Sequence, residues 1–334
     1  MRRRGIALVL TAGLAVGIVL AGCGGGGGDD DGGSPSPTQP AETNPLTGLP
    51  GRPSGPVLGV KVDDTNPSRP QAGLNDADLV YVEPSEGGLT RLIAIYASHR
   101  PDAVGPVRSV RTSDPDILAP YGPMALAFSG GATGVLDTFR ASPLVDASFD
   151  AHPDSYRREP TRSVPYNLLV NTGTLSGRVA RAAGVRDVGL RFADEDSRVD
   201  SARRVSRVSV TMGNTRMSFN WDDRAGVWVR QDNGRAMVGA DGKPVVTRNV
   251  LVQFCEVTPD LTDIDQAGNP APFVHAVGEG RAVLFRDGRM IDGRWKRDKA
   301  QDPTRYTEGD TDLRLHPGGA WVLLAPADSP FDTA

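Results

Sequence analysis

Seven residues between positions 69 and 130 combine charge with backbone freedom: Arg69, Glu83, Glu86, Arg91, Arg108, Arg111 and Gly130. Arginine forks grip carboxylate or phosphate groups through paired N–H donors. Carboxylates accept hydrogen bonds from hydroxyls or amines. Gly87, Gly88, Gly130 and Gly131 let a ligand come close to the backbone. Arg108 and Arg111 precede a short helix that Ser113 or Asp114 can cap, with Pro115 just inside its start. A helix start adds a field that favours anions. The seven are read as a ligand-facing surface for an anion or a glycan. The competing reading is that the arginines pair with Glu83, Glu86 and Asp114 and hold loops in place.

Catalytic patterns are weaker. Two carboxylates can share acid and base roles in glycoside cleavage. Glu83 and Glu86 are close in sequence, but residues three apart on a strand face opposite sides. Ser129 precedes two glycines without the first glycine of a nucleophile elbow. His99, His152, His275 and His316 are scattered. Asp150, His152 and Asp154 read as a solvated loop, no paired cysteines are present, and no metal site is expected. No nucleotide-type phosphate loop occurs, so no cofactor is implied. Cys255 sits in an apolar run and reads as a small buried residue. The four tryptophans, Trp221, Trp228, Trp295 and Trp321, read as core packing.

These residues need a scaffold. Val57–Val62, Leu79–Glu83, Leu92–Tyr96 and Ala125–Ser129 read as buried strands, and 135–140 and 172–183 as helices. Alternating strands and helices predict an N-terminal α/β domain over residues 51–190. From Val205 onward, short strands broken by turns such as Asp241-Gly242 and Asp287-Gly288 predict a β-rich domain over 200–328. The expected fold class is mixed α+β, an α/β domain followed by a β-rich one.

The N-terminus gives an address. Arg2, Arg3 and Arg4 precede the apolar run Ile6–Ala21, the layout of a secretory signal over residues 1–22. Leu20-Ala21-Gly22-Cys23 resembles the bacterial lipobox, which implies that Cys23 carries lipid and holds the protein on the outer face of the cytoplasmic membrane. Residues 23–50, rich in Gly, Pro and Ser, are expected to form a disordered tether. The 334-residue chain has 37 Lys and Arg against 41 Asp and Glu, and loss of the leader makes it more acidic. That balance argues against a nucleic-acid partner. The expected role is binding or accessory work on an anionic or glycan cell-envelope component. The alternatives are a cell-wall hydrolase or transferase using Glu83 or Glu86, and a protein-interaction scaffold.

Several strings carry a family resemblance. They are Arg69 to Asp78, Glu86 to Arg91, Gly105 to Arg111 and, more loosely, Pro165-Tyr166-Asn167-Leu168. Gly293-Arg294-Trp295-Lys296 and Pro317 to Trp321 continue it toward the C-terminus. The chain resembles the YerB-like family of bacterial lipoproteins known as DUF3048. The resemblance implies two domains, α/β then β-rich, exported and lipid-anchored, and supplies no activity.

Overall fold

Leu58–Asp63 (β1), Leu79–Ser85 (β2) and Leu89–Tyr96 (β3) are almost wholly buried. Their apolar side chains serve two cores. Val60, Val62, Val80, Val82, Leu92 and Ala94 face one core. Leu79, Tyr81, Ile93 and Ile95 face the other. A sheet buried on both sides reads as a continuous apolar run, which is why these strands were visible in the sequence. The computed structural model describes residues 42–264 and 268–334. The leader and Cys23 lie outside the described residues.

The sheet extends far beyond these strands. Further strands include Ala125–Ala127 (β4), Val145–Asp146 (β5), Arg207–Met212 (β6), Thr215–Asp222 (β7) and Val227–Asp232 (β8). They continue with Asn249–Cys255 (β9), Val257–Ile264 (β10), Pro270–Val274 (β11), Gly278–Arg286 (β12) and Arg289–Arg297 (β13). The last are Arg305–Glu308 (β14), Thr311–Asp312 (β15), Ala320–Pro326 (β16) and Phe331–Thr333 (β17). The main sheet runs β15-β14-β13-β12-β9-β16-β2-β3-β1-β4-β5. Strand β16 lies parallel to both β9 and β2 and joins the two halves of the sequence. A second sheet, with β8, β7, β6 and β17 in order, contributes Val208, Val210, Phe219 and Trp228 to the first core.

Asp114–Leu118 (α1), Thr133–Ala141 (α2) and Thr172–Arg178 (α3) are short. Helices α1 and α2 cover the second core through Ile117, Leu118, Val135 and Phe139. The fold is strand-rich with a mixed sheet, so the α/β character expected of the first half is reduced to short helical caps. Helix α3 stops at Arg178, short of the expected Ala183, and Asn171 caps it by accepting from the Thr174 N–H at 2.8 Å. The expected tether to residue 50 is corrected for residues 42–50. Leu46 is fully buried, and Asn44 donates to Ser98 at 2.9 Å, so this segment is folded onto the body.

Candidate functional site

The charged residues gather where β1, β2 and β3 end. Asp63 pairs across the strands with Arg91, which pairs in turn with Glu83. Strand alternation places Lys61, Asp63, Glu83 and Arg91 on the face that carries the second core. Lys61 is fully buried and bonds Glu83 and, at 2.8 Å, Asp114 at the start of α1. Asp114 also accepts the Arg111 N–H at 2.8 Å, so it ties the loop to the sheet and Ser113 makes no side-chain cap. Burial and the neighbouring Asp114 push the Glu83 carboxyl up to about 7, against the pull of Lys61 and Arg111.

Residues 105–112 cross this end of the sheet. The Arg108 N–H donates to the Lys61 carbonyl at 3.0 Å, and Ser129 N–H donates to the Arg108 carbonyl at 2.9 Å. Val110 N–H donates to Gly130 O at 3.1 Å. Gly130 has φ +78° and so supplies a conformation that side-chain-bearing residues rarely adopt. These bonds hold Arg108 at the surface, with Nε 3.0 Å from Asp63 and the guanidinium 5.6 Å from the Tyr166 ring centroid. Its side chain is 23% exposed. Among the described residues, its two Nη groups make no hydrogen bond.

Arg111 turns the other way and donates to Glu86 at 2.8 Å. Burial raises the Glu86 carboxyl, but Arg111 outweighs it and holds the group below its ordinary value. Arg91 lies between the two arginines. Burial lowers its pKa, and Arg108 and Arg111 lower it further against Asp63 and Glu86. The structure therefore brings Glu83, Glu86, Arg91, Arg108 and Arg111 together, with Gly130 supporting the loop. Arg69 stands one step away. It bonds Asp232 on β8 and Asn66, and lies 3.8 Å from Asp64.

Sequence reasoning missed Lys61, Asp63, Asp64, Arg230 and Asp263. Arg230 is buried and grips both oxygens of Asp64, at 2.7 and 2.8 Å, with its guanidinium 4.9 Å from the Trp321 ring centroid. Lys61 and Asp63 could have been found as charges on the alternate face of an otherwise apolar strand. Arg230 and Asp263 lie more than a hundred positions away and left no local signal.

Two consequences bear on chemistry. Glu83 is sealed beneath the surface and held by Lys61, and Glu86 is half-buried and tied to Arg111, so both carboxylates that the hydrolase alternative relied on are engaged in ion pairs. All four site arginines face carboxylates: Arg69 pairs with Asp232, Arg111 with Glu86, and Arg91 and Arg108 with Asp63. Of these only the Arg111–Glu86 pair is one that the loop-holding reading named, and Arg108 is the most exposed of the four, with both Nη groups free of hydrogen bonds among the described residues. Cys255 is buried, which pushes its thiol up to about 12, and Trp228, Trp295 and Trp321 are core residues.

The profile described as "Protein of unknown function (DUF3048) N-terminal domain" matches residues 46–186. The profile of the corresponding C-terminal domain matches residues 208–322. "Putative lipoprotein YerB" of Bacillus subtilis (strain 168) is 26% identical over 278 residues, 80% of this chain and 81% of its own. The crystal structure of the YerB protein from Bacillus subtilis superposes with a TM-score of 0.72 at 22% identity. That match covers 87% of this chain and 99% of the other.

Proposed function

The chain belongs to the DUF3048 family, and on that premise we propose that it is an exported lipoprotein that binds an anionic or glycan component of the cell envelope. Cys23 carries the lipid and places the body on the outer face of the cytoplasmic membrane. The lipobox-like Leu20-Ala21-Gly22-Cys23 and the name of the Bacillus relative support this address. The role is binding or accessory work, a reading supported by Glu83 being buried and both Glu83 and Glu86 being ion-paired.

The observation that carries the ligand reading is Arg108. Its backbone is fixed by the Lys61 and Ser129 bonds, its Nε is committed to Asp63, and its outer Nη groups remain free at the surface among the described residues. A fixed guanidinium with open donors suits a carboxylate or phosphate. The Tyr166 ring beside it offers a face on which a sugar can stack.

The test uses full-length protein in detergent, incubated with purified cell wall. Co-sedimentation that falls about tenfold in Arg108→Ala, the loss of roughly one charge-assisted contact, is the expected result. Release of soluble products, abolished by Glu83→Gln, would replace this reading with a hydrolase or transferase. Neither binding nor release would direct the search to protein partners. Separately, Cys23→Ser is expected to free the protein from the membrane fraction.

A further inference from the structure

The hairpin of β10 and β11 packs against α2, β2 and the turn at Glu86–Gly88. It brings Asp260 and Asp263 to the Arg111 side of the cluster. The pairing register of the hairpin slips between Asp260 and Ile264. Such a bulge re-aims side chains and is common beside functional sites. Asp263 is turned inward and is only 5% exposed. Its Oδ2 has no hydrogen-bond partner among the described residues. Asp260 also has a buried Oδ2, with the Thr112 hydroxyl beside it.

Charge sets what the unpaired oxygen would accept. At this end of the sheet Lys61, Arg91, Arg108 and Arg111 face Asp63, Glu83, Glu86, Asp114, Asp260 and Asp263. The cations there have closer carboxylates, and Arg111 is held by Glu86. A buried carboxylate without a donor is costly, so the arrangement calls for an added donor or positive charge. Burial raises the Asp263 carboxyl against Arg111, and Glu86, Asp260 and Asp114 raise it further.

We propose that Asp263, assisted by Asp260, receives a primary ammonium group of a ligand, borne by a peptide or by an amino sugar. Its N–H donors match acceptors that lack them, and its charge offsets the carboxylate excess. This seat uses residues other than Arg108 and does not rest on the anion reading. If both hold, the ligand carries an acidic and an amino group.

Full-length protein in detergent is titrated at neutral pH with N-acetyl-lysine amide and with its uncharged counterpart N-acetyl-norleucine amide. A second pair is glucosamine and glucose. Binding of one ammonium compound at least about tenfold tighter than its neutral counterpart is expected, and the pair that responds identifies a peptide or a glycan source. Asp263→Asn should remove the preference. Asp260→Asn should reduce it, and decides the matter if Asp263→Asn does not fold. No preference in either pair, including no binding, overturns the proposal, as does a preference that survives in every variant that folds. Arg108→Ala should lose cell-wall binding while the ammonium preference persists, so the two readings fail separately.

Discussion

Asp64 and Asp263 are both buried carboxylates near the same sheet, and the protein treats them oppositely. Asp64 accepts two bonds from Arg230 and one from Thr90, and Arg230 rests on Trp321. Asp263 has a buried oxygen with no such donor among the described residues. The first is a fastening between the N-terminal and C-terminal parts of the chain. The second is an acceptor without its donor. Burial is common to both carboxylates; what separates them is whether the oxygens have donors.

The sharpest way to break the comparison is Asp64→Asn. It leaves Arg230 buried without its counter-charge and should cost about 3–5 kcal/mol in chemical denaturation. Next in size is the pH dependence from Glu83. The folded carboxyl titrates near 7, against 4.5 when unperturbed. The folded state keeps a proton that the unfolded chain releases, so this group's contribution to stability is lost as pH rises through that window. Denaturation series across it should show a decline of the order of 3 kcal/mol that Glu83→Gln removes. Asp263→Asn should change stability by less than about 1 kcal/mol at neutral pH, in contrast to Asp64→Asn, because no tight partner is lost. The smallest effect belongs to Arg140→Ala. Arg140 and Asp137 form an exposed pair at 2.8 Å on α2, and its removal should shift stability by no more than about 0.5 kcal/mol.

The parts of this arrangement that were legible in the sequence are local. The apolar runs of β1, β2 and β3 announced a buried sheet, and Pro115 announced the short helix beneath which Lys61 lies. The arginines and glutamates before and after these elements were visible by charge. What stayed hidden depends on pairing across long separations. Arg230 meets Asp64 only because β8 folds back onto the first core, and Asp263 reaches Arg111 only through a hairpin with a register slip. Lys61 was masked by its apolar neighbours, Val60 and Val62. The helices were over-read because Gly173 and Gly177 weaken α3 and because helical caps, not crossover helices, suffice where strands pair antiparallel.

Strand β16 sets the order in which the molecule can be made. Residues 320–326 occupy the middle of the main sheet, yet they follow every other strand of that sheet in the chain. Until they arrive, β2 and β9 each present an unpaired apolar edge to the surroundings, the kind of edge that recruits other chains. Domains usually fold in turn as the ribosome delivers them, but here neither half can complete its sheet ahead of the other. A sheet whose closure waits for the last of its own strands stays open in the middle until that strand is in place. A stop codon before Ala320 would leave two open half-sheets rather than one intact domain and one missing.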